Sequence, residues 1–450
     1  MQSFQITKGL DLPISGRPEQ KIRPGNPISH VALIGDDYIG MKPTMLVKEG
    51  DMVKTGQILF SDKKNKGVNF TAPGCGKVIA VNRGPRRKFE SLVIELAGED
   101  TLHFFDPETD PAEGMGPEEI RSLLLESGMW TCFRTRPYGK VPPVDSTPAS
   151  LFITAIDSAP LAAEPQVIIA RSPEEYRLGL QMLQRLLSVP IHYCTGAEQL
   201  QEVEQQEGLQ YYHFNGPHPA GLSSTHIHFI DPVHEEKTVW HIGYQDVIAL
   251  GHLGRTGQLC TRRVVALAGA EVLKPALVTT RIGASLTELC RQELRENKKV
   301  RILSGSVLDG RTSEGNYEFL GRYHNQVSVL KDDNGRALFN WLMPGRDRFS
   351  IKPLFASALE KNRRLPFSTA LWGGRRAIYP LGTYDQVMPL DIIATSLVKA
   401  LAVGDTEKAK QLGCLELIEE DLALASFVCP GKNEFGAPLR QVLTSIELDG

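Results

Sequence analysis

What this sequence lacks narrows its class before any motif is read. Its seven cysteines stand at 75, 132, 194, 260, 290, 414 and 429, with no C-x2-C pair among them. Such scatter, and an odd count, exclude a disulfide framework and point to a reducing compartment. No apolar run approaches the ~20 residues that a membrane-spanning helix takes; the longest are short, such as LFITAI at 151–156 and VVALAGA at 264–270. The opening MQSFQITKGLDLPIS shows no charged leader followed by an apolar core, so no export signal is expected. Basic excess is missing too: 50 Lys and Arg face 53 Asp and Glu, a net charge of −3, which argues against nucleic acid as a partner. G-x-G-x-x-G does not occur, and GHLGRTG at 251–257 has the wrong spacing. Neither Ser223-Ser224 nor Ser304 sits in G-x-S-x-G, so hydrolase chemistry has no support.

What is present divides into blocks. At 450 residues the chain has room for about three domains of ~150 residues. From about 28 to 97, short apolar–polar alternations broken at Gly50, Gly56, Gly67 and Gly76 predict a small barrel or sandwich. PEEIRSLLLESGMW reads as a helix with acidic residues in its first turn, and the Pro-rich RTRPYGKVPPVDSTP at 134–148 as a domain boundary. Strands are expected at LFITAID, VIIA (167–170), IHYCT, YYHFN and VWHIG, and helices at 173–187, AEQLQEVEQQEG and YQDVIALGHLGRTG. That alternation predicts a doubly wound α/β sheet. RVVALAGAEVLKPALVTTRIGASLTELC should run strand, turn, strand, then a helix opening near Ser285, with VRILSGSVLDG and YHNQVSVLKDD as further strands. From about 351 onward the periodicity is mainly helical, strongest at DQVMPLDIIATSLVKALAVGD.

Three features could carry chemistry. SFVCPGKNEFG places Cys429-Pro430 where a ferredoxin-type C-x2-C-x2-C-x3-C-P run would end, but the other ligand positions hold Ala425, Leu422 and Glu419. A buried structural cysteine is the simpler reading. Seven of the eleven histidines fall between His213 and His252, and His226 and His228 would share one face of a strand at THIHFI. His213, His218 or His234 could supply a third ligand, but no carboxylate orienter is placed by the pattern, and no metal is expected. Two basic-aromatic loops, RTRPYGK and LWGGRRAIYPLG with Trp372, Arg375 and Arg376, are of the kind enriched at contact surfaces. The acidic pairs at 419–423 and 234–237 read as solvated faces.

GDMVKTGQIL followed by APGCGKV closely resembles the biotinyl/lipoyl-type barrel-sandwich fold. Its hairpin SDKKNKGV puts Asn65 where a carrier has its modified lysine, so Lys64 and Lys66 read as solvating a hairpin tip. Taken in order, KGLDLPISGRPEQ, FRTRPYGKVP with FITAIDSAPLAAEP, and FVCPGKNEFG resemble the A subunit of the bacterial Na+-translocating NADH:quinone reductase, nearly end to end. RVVALAGAEVLKP…IGASL resembles an SLBB module, and the layout is similar to the C subunit of the Rnf oxidoreductase and the flavin-binding subunit of respiratory complex I.

The resemblance implies an α/β multidomain chain. A barrel-sandwich hybrid is expected over 1–105, a helix and Pro-rich linker over 106–150, and a Rossmann-like α/β domain over 151–260. An SLBB, β-grasp-like domain follows over 261–335, and a mainly helical part with a cluster-free ferredoxin-like remnant over 336–450. Where flavin-bearing relatives have a GGAGFPT-type loop this chain reads ESGMWTCFRTRPYG, without the glycines that let backbone approach phosphates. The resemblance therefore implies one component of an ion-translocating NADH:ubiquinone reductase, with no redox cofactor and no catalytic residue of its own. NADH, FAD, FMN, riboflavin and Fe–S centres would lie on other subunits. Expected partners are the B to F subunits, mainly the membrane-embedded B subunit, and ubiquinone, at the cytoplasmic face of the inner membrane. Trp130, Phe133, Arg134, Arg136 and Tyr138 are the candidates for a quinone- or partner-facing loop. The alternatives are a biotinyl/lipoyl carrier-type enzyme and an SLBB binding module.

Overall fold

The computed structural model describes residues 1–108, 112–198, 200, 204–296, 298–333, 343–360 and 362–449. The glycine-punctuated N-terminal block forms two small facing sheets. One orders the strands His30–Ile34, Phe89–Leu96, Gly76–Arg83 and Met52–Val53; the other orders Pro43–Met45, Ile58–Asp62 and Asn69–Thr71. Alternate residues point inward, so Phe60, Phe70, Val78, Leu92 and Ile94 are buried between them.

The central sheet orders Gln2–Gln5, Leu209–Asn215, Ile191–Thr195, Leu151–Ala155, Val239–Gly243 and Arg134–Arg136. All its pairings are parallel except the last. Helices Pro173–Leu186 and Tyr244–Thr256 lie against each other, and glycine sets how closely. A Cβ on Gly251 would stand 1.6 Å from the Glu175 carbonyl oxygen, and one on Gly179 2.0 Å from that of Val247. Only glycine lets the backbones approach this far.

A third sheet orders Arg311–Thr312, Val300–Ser304, Gln326–Lys331, Arg262–Ala268, Ala276–Arg281 and Glu19–Pro24. Ser285 caps Leu286–Leu289, as expected from sequence. The C-terminal helices Thr383–Val387, Ala394–Val403, Thr406–Gln411, Ala423–Val428 and Gly436–Asp449 close over a separate core that includes Leu397, Leu401, Leu422, Leu439 and Leu443. No helix among the described residues is long and apolar enough to cross a membrane.

Several sequence expectations need correction. VIIA belongs to the helix Pro165–Ile169, where Pro165 presets the first-turn φ. THIHFI is also helical, within Ser223–Ile230. Residues 351–360 and 362–382 are largely irregular, and Pro389 falls in a break between Thr383–Val387 and Ala394–Val403. Within the block assigned to 1–105, two strands pair outside the barrel sheets: Gln2–Gln5 with Leu209–Asn215, and Glu19–Pro24 with Ala276–Arg281. The linker assigned to 106–150 is built in, with Thr135 and Arg136 buried in an edge strand of the central sheet. Part of the helix expected at AEQLQEVEQQEG lies outside the described residues.

Candidate functional site

In an open parallel sheet the natural crevice lies at the carboxyl ends of the strands where their order reverses. Here that point falls between Leu151–Ala155 and Val239–Gly243, which run side by side with Thr154 opposite Gly243. A cavity of about 170 Å3 opens there. Thr154 and Asp157 come from the first strand's end, and Gly243 and Tyr244 from the second strand and the first turn of the helix that follows. The third sheet and its loops add Asp309, Arg322, Tyr323 and His324; Arg134 enters from the antiparallel edge and Glu420 from the C-terminal helices.

The floor of this cleft is a buried charge cluster. Arg322 Nη1 donates to both Asp246 oxygens at 3.0 and 3.2 Å, and Arg263 donates to the same carboxylate. The Tyr323 ring is flanked by Arg134 at 4.6 Å and Arg322 at 5.4 Å, and its hydroxyl donates to the Thr131 carbonyl at 2.9 Å. Burial pulls His218 and His324 down to about 4, so both are neutral at pH 7. Burial among protein atoms pushes Asp157 up to about 6, against the Ala159 N–H that favours its charged form. Among the described residues, Thr154 Oγ1 and Arg322 Nη2 are buried with no hydrogen-bond partner. The arrangement can hydrogen-bond a polar head group and hold a proton near it. His324 Nδ1 lies 2.7 Å from Ser304 Oγ and His218 Nδ1 3.2 Å from Ser158 Oγ, so each ring is already engaged by a hydroxyl.

The five candidates from the 130–138 loop separate. Trp130, Phe133 and Arg136 are fully buried. Trp130 packs 5.5 Å from Phe133 and 5.4 Å from Trp240, while its indole N–H donates to the Pro142 carbonyl at 3.0 Å. That packed aromatic cluster leaves no open backbone of the kind a phosphate cradle needs. Arg136 donates to Ser224 Oγ at 2.9 Å and to Glu420 Oε1 at 3.1 Å and lies 2.8 Å from His241 Nε2, so it pins the C-terminal helices onto the α/β domain. Only Arg134 and Tyr138 keep partial exposure, and only Arg134 faces the cleft.

Among the described residues the histidines do not gather into a ligand set, and Nδ1 of His192, His226 and His252 is buried with no hydrogen-bond partner. At 100° per residue, positions two apart on a helix point to opposite sides, so His226 and His228 diverge. His226 Nε2 bonds the Ala220 carbonyl at 3.0 Å; His228 bonds Glu416 at 2.8 Å and accepts from the Asp391 N–H at 3.0 Å. No group of three or more metal-type ligands occurs among the described residues. Cys414 and Cys429 are both buried, and Cys429 Sγ lies 3.1 Å from the Tyr384 hydroxyl. At the barrel's hairpin tip, Asn65 Nδ2 donates to the Pro142 carbonyl at 2.9 Å, tying down a hairpin that a carrier domain would need free.

Family models match the chain in three blocks: the NqrA N-terminal barrel-sandwich hybrid domain over 4–97, the NqrA second alpha/beta domain over 115–259 and the NQRA C-terminal domain over 264–315. Over 447 residues the chain is 51% identical to the A subunit of the Na(+)-translocating NADH-quinone reductase of Yersinia pestis bv. Antiqua (strain Angola), covering 99% of this chain and 100% of that one. With the A subunit from Neisseria gonorrhoeae (strain NCCP11945) it shares 50% identity over the same length and coverage. A solved NAD+-reducing [NiFe]-hydrogenase in the H2-reduced state aligns with a TM-score of 0.38 and 13% identity, over 76% of this chain and 64% of that one, too distantly to bear on function. With barrel, α/β sheet and SLBB domain in that order, and half its residues shared along the full length, the chain belongs to the NqrA family, the A subunits of Na+-translocating NADH-quinone reductases.

Proposed function

We propose that this chain is the cofactor-free peripheral subunit of its complex, holding the assembly together on the cytoplasmic side and meeting the membrane-embedded B subunit. The observation that carries this reading is the aromatic cluster of Trp130, Phe133 and Trp240, packed where a flavin phosphate would need open glycine backbone. Hydride and one-electron chemistry belong to cofactors, with protein supplying binding and orientation. NADH oxidation and electron transfer therefore fall to other subunits, which would carry FAD, FMN, riboflavin and the Fe–S centre. Ubiquinone contact, in this reading, is made at the cleft through Arg134, because quinone carbonyls are acceptors and Thr154 Oγ1 and Arg322 Nη2 offer free donors.

The test is purification of the whole complex through a tag on this chain, together with a spectrum of the isolated, folded chain. Stoichiometric flavin or cluster absorbance on the isolated chain refutes the reading, as does failure to recover the membrane subunits. Crosslinking with a photoreactive quinone then decides the contact: label on Arg134 or its cleft neighbours supports it, and label confined to other subunits removes it.

A further inference from the structure

The stretch 343–382 is unlike the rest of the molecule. It holds eight Lys or Arg against two acidic residues, in a chain whose net charge is −3. Both of those acids are already engaged by one side chain: Arg363 pairs with Asp347 and, at 3.3 Å, with Glu360. Arg346, Lys352, Arg364, Arg375 and Arg376 are exposed, and none has an ion-pair partner among the described residues. Large apolar side chains are exposed in the same stretch: Leu354 at 74%, Leu359 at 87%, Leu371 at 67% and Trp372 at 48%. The stretch is anchored. Arg348 stacks 4.5 Å from the Trp372 ring and 5.8 Å from that of Phe355, joining its two halves, and Phe349 and Phe367 stack on Phe427 of the C-terminal helices at 6.1 Å each.

We infer that this basic, apolar-tipped surface lies on an anionic phospholipid bilayer. The inference rests on the membrane-complex reading above and names the partner of one face. Charge complementarity selects the occupant. Cytoplasmic loops of membrane proteins carry an excess of Lys and Arg, so a face this basic is repelled by them, whereas the negative surface potential of the inner leaflet attracts it at ~1 kcal/mol per basic side chain. Leucines and a tryptophan among arginines suit the headgroup boundary, where apolar side chains insert and aromatic rings settle.

The experiment is flotation of the full purified chain with vesicles of phosphatidylcholine alone or with about 30% phosphatidylglycerol, at low and high salt. Binding is expected only to the anionic vesicles and is lost at high salt. The double variant Arg375→Gln/Arg376→Gln touches two exposed side chains and should keep the parent's circular dichroism and melting temperature. Losing two such charges should weaken partitioning roughly 30-fold. The emission difference between the parent and Trp372→Phe should shift to the blue on anionic vesicles alone. Equal binding to both vesicle types, or no vesicle binding by a chain that still recovers the membrane subunits, overturns the inference; the second result reassigns the surface to a protein contact. Because the vesicles hold no partner subunit, this outcome is independent of the co-purification that tests the proposed function.

Discussion

Replacing Arg136 by alanine should release the C-terminal helices while leaving the barrel intact. The guanidinium is fully buried, donates to Glu420 across the junction, and is held on its own side by Ser223 and Ser224. Asp421, one residue on, is buried beside it and accepts from Ser224 Oγ and the Ile418 N–H, both at 2.8 Å. Burial raises its carboxyl although Arg136 pulls the other way, so losing the guanidinium leaves Asp421 to take up a proton and Glu420 without its ion-pair partner. Removing one partner of a buried ion pair costs ~3–5 kcal/mol, most of it the stranded opposite charge. If the penalty falls on the junction, amides of the helices between 383 and 449 should exchange roughly two to four decades faster. Native-state hydrogen exchange read by mass spectrometry is the assay, since a chain of several domains is a poor case for one melting temperature. Adding Glu420→Gln should recover part of the loss. Two results refute the reasoning: exchange in the helices that rises less than about threefold, or a rise that is uniform across the barrel as well.

Four further outcomes are expected. Glu288 accepts from the Ser29 hydroxyl and N–H and from His30; burial opposes its charge, but these bonds hold it down to about 2. A depressed carboxylate stabilises the fold above its unfolded value near 4.5, and that contribution is lost as pH falls through about 2. The stability gap between the parent and Glu288→Gln should therefore be full at pH 6 and shrink by pH 3 in denaturant titrations; a gap constant with pH contradicts this. All seven cysteines are buried, so a thiol reagent should label less than one of them per chain within minutes in the native state and all seven in denaturant. Intact mass should show no lipoyl or biotinyl addition at Lys64 or Lys66, and Asn65→Ala should cost about 0.5–1.5 kcal/mol for its lost bond to Pro142.

Elements with local signals are legible in the sequence. Helix Pro173–Leu186 shows itself because its apolar positions recur at helical spacing over fourteen residues behind an acidic first turn. VIIA does not: four apolar residues fit a buried strand and a buried helix equally, and packing decides. THIHFI misleads because its alternation mimics a strand, while Ile227 is buried on a helix against Phe152 and Phe214. The cleft is invisible in one dimension. Arg134, Asp157, Tyr244, Asp309, Arg322 and Glu420 span almost three hundred positions, and their meeting depends on how two sheets and a helical cap dock. Of the contact candidates, Trp130 and Phe133 stand out by residue type, which is equally the type that fills a core.

The N-terminal strands have a consequence for how the chain is made. Gln2–Gln5 can pair only once Leu209–Asn215 exists, and Glu19–Pro24 only once Ala276–Arg281 does. At ~5–20 residues per second of synthesis, the second gap of about 250 residues lasts roughly 13–50 s. For that interval the ribosome displays a finished barrel trailing an unclaimed leash, which is the window in which a chaperone that grips extended peptide would act.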